Sequence, residues 1–231
     1  MSTRFSDGKT PAFGNRTQAG QMLAKYLQTY ANQQDVIVLG LPRGGVPVAF
    51  EVAKALNAPL DVCLVRKLGV PGHRELAMGA IASQNIRVLN YDVINILGIN
   101  QETINEVASQ ELAELQRRDR TYRGDKPPLN VKNKTVILID DGIATGSTMR
   151  AAIAILRQQQ PKKIIVGIPV APPMTYERLQ LEVDEIVCLL TPSLMSAIGI
   201  WYEDFSQTTD EEVRELLAKA SRGKEAGVQG G

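Results

Sequence analysis

Hydrophobic and polar positions along the chain switch between a helical and an extended period. Within 15–30, Met22, Leu23, Tyr26, Leu27 and Tyr30 recur at helical spacing, which predicts an amphipathic helix. Residues 36–39 form an unbroken apolar run ending at Gly40, the pattern of a strand buried on both faces. Residues 46–56 then read as a helix, with Pro47 tolerated in its first turn. A strand is expected at 60–65, a Gly- and Pro-rich loop at 69–75, and two short strands at 78–82 and 86–89 paired around Ser83–Asn85. A short helix is expected at 92–97.

The spacing predicts a long helix over 100–123, with Ile104, Val107, Ala108, Leu112 and Leu115 as its apolar stripe. Asn100 is a good N-cap. Glu102 and Glu106 lie early and Arg117, Arg118, Arg120 and Arg123 late, which matches the helix dipole. A polar linker at 124–133 leads to a strand at 135–140, a helix at 147–159 and a strand at 163–168. A short helix at 174–181, a strand at 184–190 and a helix at 210–220 follow. The Gly-rich tail 221–231 is expected to be disordered. Strands alternating with helices predict an α/β fold, a central mostly parallel sheet flanked by helices. Residues 1–220 read as one domain. The stretch 78–126 breaks the alternation and reads as a cap-like insertion.

Composition narrows the setting. At 231 residues with 44% hydrophobic side chains, the chain can bury a full core. A net charge of +1 gives no electrostatic case for nucleic acid or an anionic membrane, and the run Arg117-Arg118-Asp119-Arg120 reads as a solvated helix face. The two cysteines, Cys63 and Cys188, sit in apolar runs and read as buried thiols of a reducing compartment. The N-terminal stretch lacks a signal-peptide apolar region, and no apolar run approaches the ~20 residues of a membrane span. The expected location is the cytoplasm.

The chemistry concentrates at 135–149. An apolar strand runs into Asp140 and Asp141, then Gly142, Ile143, Ala144, Thr145, Gly146, Ser147 and Thr148, then a helix. The carboxyl end of a parallel strand is where open α/β sheets bind ligands, and a turn opening a helix offers N–H groups to an anion. Two carboxylates ahead of that turn suit sugar hydroxyls or a metal, so the segment points to a sugar phosphate. A second turn, Leu41-Pro42-Arg43-Gly44-Gly45, follows the 36–39 strand and carries an arginine able to grip phosphate. Its spacing fits neither a Rossmann fingerprint nor a Walker A loop.

The 135–149 segment resembles, over its whole length, the phosphoribosyl-diphosphate (PRPP) signature of the type I phosphoribosyltransferases. The resemblance implies that Asp140 and Asp141 hold the ribose hydroxyls and that residues 142–148 wrap the 5′-phosphate. Leu41, Pro42, Arg43, Gly44 and Gly45 resemble the diphosphate loop of the same family. Arg66 and Lys67, ahead of the 69–75 loop, resemble a lid whose cation closes over the leaving diphosphate; Lys67 is the first choice. His73, in the same loop, reads as a surface residue.

Trp201, Tyr202, Glu203 and Asp204 are the acceptor candidates, two rings to stack on a base and two acids to hydrogen-bond it. The bland alternative is core filling. Mg²⁺ is the implied cofactor, held mainly by substrate oxygens with Asp140 and Asp141 as direct or indirect ligands. Ala144 departs from the hypoxanthine/guanine-type pattern, in which an aspartate at that place serves as base. The likeness over nearly the full chain is to an uncharacterised bacterial group of predicted phosphoribosyltransferases. The partners implied are PRPP and a small nitrogenous acceptor; a homodimer is open. The resemblance also admits a second function, a regulator that binds PRPP or a nucleotide without transferring anything.

Overall fold

The computed structural model describes residues 11–228, without the side chains of Arg74, Glu75, Gln84 and 223–228. Five strands form one parallel sheet: β1 (Val36–Gly40), β2 (Leu60–Val62), β6 (Thr135–Ile139), β7 (Lys163–Val170) and β8 (Glu185–Leu190), in the order β2-β1-β6-β7-β8. β1 pairs in register with β6 from Val36↔Thr135 to Gly40↔Ile139. All five residues of β1 and of β6 are buried, as their unbroken apolar runs require of strands covered on both faces.

Side chains alternate between those faces. Val36, Val38, Ile137, Ile139 and Ile165 pack under α1 (Arg16–Tyr26) and α2 (Gly45–Leu56), against Leu23, Leu27, Val48 and Val52. Ile37, Leu39, Val136, Leu138 and Val166 face α5 (Ser147–Gln158) and α6 (Pro173–Gln180), against Met149, Ile153, Leu156 and Leu179. The chain leaves β1 toward β2 on one side, while β6 lies on the other. The crevice between β1 and β6 is therefore the place where the winding reverses, the ligand-binding position of such sheets.

A second, antiparallel sheet carries β3 (Val65–Val70), β4 (His73–Ala82) and β5 (Arg87–Leu89). The 78–82/86–89 hairpin is found as expected, with β4 longer at its start. Two expectations need correction. The strand expected at 60–65 is two: β2 ends at Val62, Cys63 and Leu64 turn the chain, and β3 opens the second sheet. The 69–75 loop is a β-hairpin in which only Pro71 and Gly72 lie outside strands; Gly72 adopts φ +79, which a tight turn needs. The second sheet thus starts at Val65, ahead of the 78 boundary.

That sheet packs between α5 and α4 (Gln101–Arg123), with α3 (Tyr91–Leu97) beside it. Asn100 caps α4 by accepting from the Thr103 N–H (2.8 Å). At its other end Arg123, 7% exposed at the side chain, donates from Nε to Asp61 (2.9 Å) and from its terminal nitrogen to the Val62 carbonyl (2.6 Å). This buried pair pins the long helix to edge strand β2. α7 (Asp210–Val228) lies across α2 and α4. It carries helix into the stretch 221–231 expected to be disordered; residues 229–231, and 1–10 at the other end, lie outside the described residues. Both cysteines are free, Cys63 buried and Cys188 half-buried, and burial pushes each thiol up to about 12. Among the described residues no helix is long and apolar enough to cross a membrane.

Candidate active site

The two turns that follow β1 and β6 meet at the sheet's carboxyl edge, and glycine makes the meeting possible. A Cβ on Gly44 would lie 2.0 Å from Asp141 Oδ2. One on Gly45 would lie 2.7 Å from the Ile139 carbonyl and 2.9 Å from Asp140 Cα. No side chain fits between the turn and the acid pair. Leu41 belongs to the core rather than to the mouth: its side chain is buried and its N–H donates to the Ile139 carbonyl (2.9 Å). The Pro42–Arg43 peptide bond is cis.

Asp140 Oδ1 accepts from the Asp141 N–H (2.9 Å). Burial, and then the charge of Asp141, push Asp140 well above the usual carboxylate range. Beyond the acids, Gly142 sits where a Cβ would strike Ile198 at 2.5 Å, and the Ile143 N–H donates to the Val170 carbonyl. Ala144, Thr145 and Thr148 face solvent, and Gly146 turns the chain into α5 at φ +74. The N-cap of α5, Gly146, has no side chain, and apart from a long contact of the Ser147 N–H with Thr145 Oγ1 (3.5 Å) the first turn keeps its N–H groups and the dipole's positive end for an anion. Thr175 Oγ1 donates to the Ala144 carbonyl (2.8 Å), which ties the turn to α6.

Arg43 reaches away from the turn to Asp210 (3.7 Å), the first residue of α7, whose carboxylate also accepts from the Tyr122 hydroxyl (2.7 Å). Arg66 and Lys67 lie within β3, not in a loop. Arg66 pairs with Glu111 on α4 (2.5 Å), while strand alternation puts Lys67 on the opposite face, the side of Val65 that packs on α5. His73 is exposed at the start of β4.

The segment 198–206 is stitched to residues 12–14. Ala12 and Phe13 donate to the Trp201 carbonyl, and Glu203 and Asp204 donate back to Phe13 and Gly14. The expectation that Tyr202 stacks on a base is overturned. Its ring is buried between Phe13 (5.2 Å) and Phe205 (4.9 Å), and its hydroxyl donates to the Asp141 carbonyl. Tyr202 braces the acid loop instead. Trp201 is half-buried, with its indole nitrogen enclosed and unpaired. Glu203 and Asp204 are exposed, and the Asp204 carboxyl is drawn down chiefly by the Ser206 N–H.

The acid loop opens instead onto a cavity of about 330 Å³ lined by Arg16, Arg43, Gly44, Asp141, Phe205, Gln207 and Thr208. Four of these were not among the site residues expected from the sequence: Arg16, Phe205, Gln207 and Thr208. Only Arg16 carried a signal. It is the first residue of α1, where a cation opposes the helix dipole, so its reason must be tertiary. Its Nε donates to Asp141 Oδ2 (2.8 Å), a terminal nitrogen donates to the Ser206 carbonyl (2.7 Å), and its Cζ lies 3.9 Å from the Phe205 ring centre.

No group of three or more His, Cys, Asp or Glu among the described residues is arranged to hold a metal. Asp140 and Asp141 fit Mg²⁺ in the manner that cation accepts, one or two carboxylates with the remaining ligands from substrate oxygens and water.

Residues 15–191 match the phosphoribosyl transferase domain family. The chain is 44% identical over 210 residues to the Mycobacterium tuberculosis protein named "Putative phosphoribosyl transferase Rv0571c", an alignment covering 91% of this chain and 47% of the relative. The chain thus spans about half the length of that relative. "Bifunctional protein PyrR" of Clostridium novyi is 27% identical over 136 residues, 58% of this chain and 57% of its own. Among solved structures, TT1426 of Thermus thermophilus superposes with a TM-score of 0.83 at 39% identity, covering 90% of this chain and 98% of its own.

Proposed function

The chain belongs to the phosphoribosyl transferase domain family, and from that premise we propose that it transfers 5-phosphoribose from PRPP to a small nitrogenous acceptor, releasing diphosphate. One observation carries this reading. At the reversal point of the sheet, a helix N-terminus opened by a glycine and a paired-acid loop abut a second turn through glycines that leave no room for a side chain. Such a crevice suits a ligand with phosphate at one end, a polyol in the middle and a second anion at the other.

Residues 144–148 hold the 5′-phosphate through main-chain N–H groups and the hydroxyls of Thr145, Ser147 and Thr148. Asp140 and the remaining oxygen of Asp141 accept from the ribose hydroxyls. Gly44 and Gly45 let the diphosphate approach the main chain, and Arg43 exchanges its exposed contact with Asp210 for the incoming anion. Asp140 and Asp141 would hold Mg²⁺, directly or through water, and the cation would supply positive charge against the diphosphate. Rate acceleration comes from positioning donor and acceptor and from stabilising the departing anion. Lys67 on β3 is the cation assigned to that anion, with Arg66 secured to Glu111. The acceptor enters the cavity beside Phe205, Gln207 and Thr208.

The test is calorimetric binding of PRPP with Mg²⁺, followed by diphosphate release across a panel of nucleobases and amines. Micromolar PRPP binding and release with at least one acceptor are expected. Binding without release from any acceptor would reassign the protein as a PRPP-binding regulator. Unchanged PRPP binding in Asp140→Asn/Asp141→Asn would sink the site itself.

A further inference from the structure

Asp141 differs from Asp140 in how it is held. Asp140 is bonded from within its own loop, by the Asp141 N–H. Asp141 is held at both ends from the 198–206 segment and its surroundings. Tyr202 donates to its carbonyl, and Arg16 donates to its carboxylate, while Arg16 itself rests on the Ser206 carbonyl and the Phe205 ring. Both partners of the ion pair are 11% exposed at the side chain, so water does little to screen it. The contacts use different properties of one guanidinium: a planar fork for the two oxygens and a flat cation for the ring. Lysine offers only the charge.

We propose that Arg16 is a positioning residue for the donor's ribose, acting through Asp141. By occupying Oδ2 it turns the second carboxylate oxygen toward the ribose hydroxyls, and it ties that orientation to the segment walling the acceptor cavity. Arg16 therefore sets affinity for the sugar rather than for the diphosphate, although it lines a cavity shared with Arg43. The inference rests on the PRPP reading above.

Three probes separate the possibilities by calorimetry: PRPP with Mg²⁺, ribose 5-phosphate, and inorganic diphosphate with Mg²⁺. For Arg16→Gln, PRPP and ribose 5-phosphate should both weaken roughly 10- to 100-fold, the usual scale for losing a residue that orients a ligand-holding group, with diphosphate within about twofold of wild type. Arg16→Lys should recover only part of the loss. Asp141→Asn should weaken ribose 5-phosphate on the same scale, and the Arg16→Gln/Asp141→Asn double variant should bind it no more weakly than Asp141→Asn alone, since one acts through the other. The proposal is overturned if diphosphate binding falls as far as ribose 5-phosphate binding, because Arg16 would then grip the anion itself. Multiplying losses in the double variant, or unchanged sugar binding in Arg16→Gln, overturn it too. Arg16→Lys, with its melting temperature measured alongside, covers the case in which Arg16→Gln fails to fold. Wild-type protein that binds none of the probes would refute the PRPP reading; wild-type binding with the wrong variant pattern refutes this inference alone.

Discussion

A single methyl group at Gly44 tests how the two turns of the site are joined. Gly44 adopts φ −61 and ψ −31, a conformation alanine takes without strain, so only space opposes the change. The new Cβ would lie 2.0 Å from Asp141 Oδ2 and 2.6 Å from its Cγ, where real Cβ contacts essentially never fall under 3.0 Å. The carboxylate must therefore retreat by about 1 Å, and it cannot do so freely, because Arg16 holds its side chain and Tyr202 its carbonyl. Overpacking of this kind costs about 1–3 kcal/mol, and the double restraint argues for the upper half. A melting temperature lower by roughly 4–12 °C follows, at about 2–4 °C per kcal/mol for a chain of this size.

The decisive measurement is a double-mutant cycle by urea denaturation. In an Asp141→Ala background the 2.0 and 2.6 Å contacts are gone and only Arg16 Nε, at 3.2 Å and at the end of a flexible side chain, stays close, so Gly44→Ala should cost only about 0.5 kcal/mol, the difference between glycine and alanine as an N-cap. The coupling between the sites should then reach about 1–3 kcal/mol. An equal cost in both backgrounds would show that Gly44 answers to something other than Asp141 and would undo the account of how the turns meet.

The buried Asp61–Arg123 pair gives a second test: Arg123→Ala should cost about 3–5 kcal/mol by urea denaturation, since it leaves Asp61 9% exposed and without its cation, whereas Asp61→Leu/Arg123→Met should cost far less. Equal losses in the single and double variants would contradict that reasoning. Asp140→Asn should raise the melting temperature at pH 7.5. Burial and Asp141 lift the folded-state pKa of Asp140, so wild-type stability is intact below the unfolded carboxylate value of about 4 and is lost as pH rises toward the folded one. The advantage of the amide should vanish near pH 3; an advantage unchanged between pH 3 and 7.5 would mean that charge is not its source.

The legible parts of this protein were those in which sequence order and spatial order coincide. β1, β6, the turns behind them and α5 each lie in one short stretch, and the elements could be read residue by residue. The capped helix at Gln101–Arg123 was legible for the same reason: its N-cap and stripe are local. The hairpin of β3 and β4 was missed because Gly69 and Pro71 read as loop residues, although cross-strand pairing with Ala77 to Ala82 holds the chain extended. Trp201 and Tyr202 look like stacking rings from composition alone, while packing against Phe13 and Phe205 draws Tyr202 inside and leaves Phe205, Gln207 and Thr208 lining the cavity beside the acid loop.

By itself the sequence determined the α/β alternation, the two turns that follow β1 and β6 and the acid pair, since each is written in adjacent residues whose backbone geometry is local. Only the tertiary structure decided that β1 and β6 are neighbours, that Gly44 must be bare because Asp141 stands behind it, and that Arg16, 125 positions away, holds that acid. Those facts depend on surfaces brought together by burying both faces of the sheet, and no local pattern records which distant side chain will be waiting there.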